Sequence, residues 1–443
     1  MRRFFAWVGS LSRHRGLLVL SIGAVLLAVA SPFLWAGYHA FAGESALNRY
    51  HSAEARAHLD ACLRVWPWSR SGRTHVLAAR AARRQGDFDE ALRLLHECQD
   101  ALHEDSPEAV LEWAMLRAVM GDLDATAEPL RKAAHQNPSL VPLVLEALTE
   151  GYLTMSRILE ALHCTDDWLA LEPNNAQAWF LRGKIHRQVG AAQEVAADCR
   201  HVLDVDPERA EARWWLALAL LDIGEYRNAY QHLQVLQQQR PDDAELRVRM
   251  AMCLWRMDRQ PEARNLLDRV LAEHPHHGLA LRTRGQISLT AGRFAEAEPW
   301  LSEAARVLPY DYGAQNALWE CLRQEGKTEQ AESQRERKEL LYERRQRQAE
   351  ILTHLMSQRP DDPALQCELG TLALHLGAPQ VGEAWLLSAL RLDDHYVPAL
   401  EALAKYYQER GDAERAEQYR QRAKNATIHQ SHKKNHESHE GHE

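Results

Sequence analysis

Five prolines, Pro173, Pro207, Pro241, Pro275 and Pro309, recur every 34 residues, and few folds satisfy such a ruler. Gly190, Gly224, Gly292 and Gly326 keep the same period, with Asp258 filling the one gap. A third marker follows five residues later, at Ala229, Ala263, Ala297 and Ala331. Each has a mechanical reason. The glycine closes the first helix of a pair in a left-handed cap conformation. The small residue lets the second helix approach closely, and the proline stops that helix and redirects the chain. Apolar residues recur between them at helical spacing, as at Leu92 and Leu95 after the turn that begins at Gly86. A repeat of this length predicts stacked helix–turn–helix units.

Turns near Gly86, Gly121, Ser156, Gly190, Gly224, Asp258, Gly292 and Gly326 mark eight successive units. A half or whole unit around Ser52 and Ala55, ending at Pro67, precedes them, and Gly377 and Gly411 close the array at about ten units. The composition agrees: strand-favouring Ile, Val and Thr are scarce beside Ala, Leu, Glu, Arg and Gln. One irregularity interrupts the ruler. From Gly326 to Gly377 is 51 residues, and 328–357 lacks Gly and Pro, which predicts one long charged helix. Its Arg and Glu residues suit a solvated face with ion pairs one turn apart; a partner contact or a hinge are the alternatives.

The amino-terminal stretch from Gly16 to Gly43 contains no Asp, Glu, Lys or Arg. Twenty residues of it, Leu17–Ala36, are long enough to cross a hydrocarbon core of about 30 Å. Arg2, Arg3, Arg13 and Arg15 lie before it, so the positive-inside rule places residues 1–16 in the cytoplasm and the remainder on the exported side, periplasmic if the cell is bacterial. The alternatives are a leader cleaved after Ala28-Val29-Ala30 or a buried helix. The segments expected are therefore a basic stretch 1–16, a transmembrane helix 17–38, repeats 44–327, the long helix 328–357, further repeats 358–424 and a tail 425–443.

The set Trp179, Gly183, Gly190 and Pro207, together with the turn Gly86-Asp87-Phe88-Asp89-Glu90-Ala91-Leu92, resembles the tetratricopeptide repeat family over about residues 44–424. Weaker units depart from that pattern, with Ser156 and Asp258 in place of the turn glycine and Thr126 and Gly382 in place of the small alanine. The resemblance implies an all-α, right-handed superhelical solenoid of antiparallel helix pairs. It also implies that the first helix of each pair lines a concave groove through its fifth and ninth positions. Carried over, those positions are Leu111 and Met115, Glu146 and Glu150, Phe180 and Lys184, Trp214 and Leu218, Val248 and Met252, Arg282 and Gln286, and Asn316 and Glu320. Phe180, Lys184, Trp214, Leu218, Val248 and Met252 then form the partner-binding floor, with structural packing as the plainer role for the same side chains. The Lys and Asn set with which some relatives clamp paired carboxylates is not matched around Lys184.

After Lys424 the repeat pattern stops, and the polar composition predicts disorder. His429, His432, His436, His439 and His442, mixed with glutamates, are candidate ligands for Zn²⁺, Ni²⁺ or Cu²⁺. Seven cysteines at wide spacing form no C-x-x-C pair and read as small buried apolar residues. A net charge of −9 with interspersed signs gives no basic face for nucleic acid. Neither H-E-x-x-H, a Walker A loop nor a G-x-S-x-G elbow occurs, so the chain is expected to be a non-enzymatic, cofactor-free adaptor for protein or peptide partners, with envelope complex assembly as one setting. A metal-handling role for the tail is the competing expectation.

Overall fold

The computed structural model describes residues 31–65, 72–102, 106–155, 157–355, 358–359 and 361–440. Each helix pair in it is closed by the same backbone device. At Gly86 (φ 77°) the amide donates to the Arg83 carbonyl at 2.9 Å, and the following Asp87 amide donates to Ala82 at 3.0 Å. This double closure satisfies carbonyls that the helix end would otherwise leave without partners, and it requires a left-handed residue at its centre. The pattern repeats with positive φ at Gly121, Gly190, Gly224, Gly292, Gly326, Gly377 and Gly411. Asp258 takes the same conformation, at φ 64°, with its own amide and that of Arg259 bonded back to Trp255 and Leu254. Ser156, the remaining expected turn, lies outside the described residues.

The helices divide after Gly151 into two compact units. The first holds α1 (31–48), α2 (Ser52–Val65), α3 (Arg73–Arg84), α4 (Phe88–Leu102), α5 (Pro107–Val119), α6 (Leu123–Gln136) and most of α7 (Val141–Thr154). The second begins with α8 (Ile158–Leu171), α9 (Ala176–Gln188), α10 (Ala192–Val205), α11 (Ala210–Asp222), α12 (Tyr226–Gln239) and α13 (Ala244–Arg256). It continues through α14 (Gln260–Glu273), α15 (Gly278–Thr290), α16 (Phe294–Val307), α17 (Tyr312–Gln324) and α18 (Thr328–Glu350). The last four are α19 (Pro363–His375), α20 (Pro379–Leu392), α21 (Val397–Glu409) and α22 (Ala413–Glu440). Among the described residues every regular element is helical, and within each unit successive helices pack on one another as an all-α solenoid.

The small residues sit where close approach demands them. Ala229, Ala263 and Ala297 are fully buried between paired helices. On the facing helix, a Cβ added to Gly285 would come within 2.6 Å of the Leu301 side chain. A fourth ruler appears that the sequence reading passes over. Asn175, Asp243, His277 and Asp311, again multiples of 34 apart, each cap the following helix by accepting from its first free amides. All seven cysteines are free and buried, as their spacing suggests, and burial pushes the Cys199 and Cys253 thiols up to about 12.

The long helix ends at Glu350 in a π-helical turn, Ile351–Leu355, and the division into units falls at Gly151 and not beside it. The last helix, α22, continues past Lys424 to Glu440, and no Gly or Pro interrupts the chain between Gly411 and Gly441. Among the described residues no helix is long and apolar enough to cross a membrane. Residues 1–30, which include most of the expected span, lie outside the described set, and 31–38 form the start of α1.

The left-handed turn generates a test at Asp258, which with Tyr50 is one of the two non-glycine residues that adopt it among the described residues. Asp258→Val should lower the urea unfolding midpoint by an amount equivalent to about 1–2 kcal/mol, the cost of that conformation for an L-residue without a locally bonding side chain. Asp258→Gly should leave the midpoint unchanged or raise it.

Candidate partner-binding grooves

In the second unit, α9, α11 and α13 carry the side chains expected to floor the groove, and packing splits them into two groups. Phe180 is buried, its ring stacked on Trp215 at 4.4 Å and 11°, with the Arg209 guanidinium over its other face at 3.9 Å. Val248 is fully buried in the same core. These two offer a partner little surface: Trp215 of α11 covers Phe180, and Val248 packs within the core. Trp214, Leu218 and Met252 remain half-exposed, and Lys184 on α9 is exposed. The apolar strip is therefore narrower than expected, and it begins at α11.

Arg209 explains part of this. It occupies the capping position shared by Asn175 and Asp243, yet it makes no side-chain cap. Its guanidinium lies over Phe180 and donates to Gln177 Oε1 at 2.6 Å, an arrangement that suits a planar cation on an aromatic face. Farther along, Arg282 is held by Asp311 at 2.8 Å, and Lys338 sits 3.4 Å from the Trp319 ring centre, within 3.5 Å of Asn316. Gln286 and Glu320 are half-buried, so this stretch is polar, as expected.

The first unit contains a concavity of about 610 Å³, lined mainly by the first helices α3, α5 and α7. Leu77, Leu111 and Leu143 supply apolar wall, and Arg73, Arg80 and Arg84, each ion-paired to a glutamate, line it together with Glu44 and Glu108. Beneath it lies a buried ion network. Glu112 has no exposed surface and accepts from Arg83 at 2.7 Å and from Arg80 at 2.9 Å. Arg84 donates to buried Glu146 at 2.6 Å, and Glu150 lies 3.5 Å from Arg83. Glu146 and Glu150, expected at the groove surface, are thus drawn into the helix stack, and Met115 is buried outright.

Burial alone would raise the Glu112 carboxyl, but attraction from Arg83 and Arg80 outweighs it and holds the group below the usual glutamate range. Burial likewise works against the Arg83 charge, and Glu112, Glu146 and Glu150 more than offset it. Carrying the groove offset one 35-residue step back from Leu111 and Met115 points to Val76 and Arg80, which line this concavity; that was the available signal. Asp393, Asp394 and His395 form the one close group of three metal-ligating side chains among the described residues, and it is largely exposed.

Residues 220–287 match the family model described as tetratricopeptide repeat. No curated protein matches the chain. Among solved structures, YrrB, titled a TPR protein with an unusual peptide-binding site, is 20% identical, with 42% of this chain and 96% of that one covered and a TM-score of 0.37. PilW, titled a type IV pilus biogenesis factor, is 17% identical over 44% of this chain and 90% of that one, at a TM-score of 0.38. A tetratricopeptide repeat protein from Parabacteroides merdae is 16% identical over 65% and 99%, at 0.33.

Removing one partner of the buried network leaves an uncompensated charge, so Glu112→Ala should destabilise by about 3–5 kcal/mol, measured by urea unfolding. The pH dependence has a definite sign. Because the Glu112 carboxyl is depressed in the folded state, its contribution is complete above the ordinary glutamate range near 4.3 and is lost as pH falls through the depressed value. Wild type should therefore lose stability on acidification below about pH 4.5, and Glu112→Gln should show a flatter profile there.

Proposed function

We propose that this chain is a non-enzymatic scaffold, tethered to a membrane by its amino-terminal segment, whose repeats hold a protein or peptide partner on the exported side. The observation that carries the reading is the strip Trp214, Leu218 and Met252. These large apolar side chains stay half-exposed on successive first helices, while the residues around them are packed. Apolar surface of this kind, bordered by charge, gains free energy when a partner covers it. The mixed apolar and charged concavity over α3, α5 and α7 supports a second contact region in the first unit.

The tether rests on sequence and on α1. Leu17–Ala36 is long enough and apolar enough to span a bilayer, with arginines on its amino-terminal side. The start of α1 leaves Phe33, Leu34, Trp35, Tyr38 and Phe41 exposed, at 45–74% of their surfaces. Aromatic residues of this kind favour the boundary between headgroups and hydrocarbon. A role in assembling an envelope complex follows if the partner is itself exported.

Two experiments test the reading. The full chain should resist alkaline carbonate extraction from membranes, and a chain lacking residues 1–43 should be released; release of the full chain contradicts the tether. Affinity capture with the full chain should enrich a defined partner that Trp214→Glu with Leu218→Glu fails to enrich, at unchanged helical content by circular dichroism. Equal capture by that variant contradicts the groove assignment.

A further inference from the structure

Where α1 crosses α2, only a glycine fits. A Cβ added at Gly43 would lie 2.6 Å from the Leu59 side chain and 3.3 Å from the Ala55 carbonyl oxygen, so the two helices approach closely there. One turn back along α1 stands His39, and next to Leu59 stands His58. The crossing brings their imidazoles together, with the two Nδ1 atoms 2.8 Å apart and the ring centres 4.9 Å apart. Both residues are half-buried. The Trp35 ring lies 4.1 Å from His39, and Tyr38 stands edge-on to both imidazoles at 5.3 and 6.3 Å, which restricts their swing. We propose that His39 and His58 are the paired ligands of a binding site for one tetragonal divalent metal, Ni²⁺ or Cu²⁺.

The chemistry follows from the separation. A neutral imidazole with its proton on Nε2 offers the Nδ1 lone pair to a metal. Such a nitrogen sits about 2.0–2.1 Å from the ion, so two of them at a right angle are about 2.8–3.0 Å apart, and at the tetrahedral angle about 3.3–3.4 Å. The observed 2.8 Å matches the right angle, the geometry of square-planar and tetragonal Cu²⁺ and Ni²⁺ and not that of tetrahedral Zn²⁺. A small turn of each ring about its Cβ–Cγ bond aims both lone pairs at one point. Glu54, one turn before His58 on α2, is held by Arg49 at 3.3 Å and His51 at 3.2 Å, so the two imidazoles are the site's protein donors and water completes the set. Because the ligands come from two helices, an ion between them pins α1 to α2, and metal affinity is linked to the docking of α1. The site stands whether or not α1 continues into a membrane.

Amide hydrogen exchange of the full chain in detergent, with and without Ni²⁺, reads the site locally. Protection of the amides in 39–48 and 52–62 should grow with Ni²⁺ and reach about tenfold where free Ni²⁺ is ten times its dissociation constant. His39→Asn and His58→Asn should each abolish that response, at unchanged helical content by circular dichroism. The histidines after Lys424 remain in every variant, so peptides from that region report equal Ni²⁺ loading. A plain hydrogen bond, in which one Nδ1–H donates to the other Nδ1, makes a different prediction. Either variant would then speed exchange in the absence of metal, and Ni²⁺ would change nothing in the wild-type chain. That result overturns the site, as does equal protection by Ni²⁺ in either single-histidine variant.

Discussion

Each described helix pair depends on a backbone closure in which one left-handed residue lets two successive amides turn back onto the preceding helix. Without it, the end of the first helix would bury carbonyls that lack donors, at a cost comparable to a lost hydrogen bond for each. With it, the second helix is delivered at a fixed angle, and the buried alanine five residues on allows the two axes to close. The capping Asn or Asp then starts the next pair. Because each step contacts mainly its neighbours, the architecture tolerates the substitution of Asp258 for glycine and of Arg209 for a capping residue.

Given that frame, the two units treat their first-helix side chains differently. The first unit draws charges inward, so that Glu112 and Glu146 are paired with Arg83, Arg80 and Arg84 beneath a concavity of mixed charged and apolar walls. The second unit buries Phe180 and Val248 in aromatic and aliphatic packing, with Phe180 between Trp215 and Arg209, and leaves Trp214, Leu218 and Met252 half-exposed. A buried ion network contributes little net stability but penalises misalignment of α3, α5 and α7. The stacked aromatic instead gives a rigid wall beside the exposed strip.

Much of this was legible in the sequence. The turn positions followed from glycine spacing, and Asp258 was correctly placed among them, because one short polar residue can adopt the conformation that Gly adopts freely. The burial of the cysteines followed from residue type. What stayed hidden depends on partners distant in sequence. Glu146 reads as a groove residue until Arg84, 62 residues earlier, is found bonded to it. Phe180 reads as exposed until Trp215 covers it.

The central claim is that the first helices of the second unit hold a partner protein. Site-specific photocross-linking in intact cells tests it most directly, with one probe at Leu218 on α11 and another at the exposed Gln234 on α12. The account predicts that Leu218 yields one discrete adduct and Gln234 does not yield it. Capture from Gln234 with none from Leu218 would contradict it.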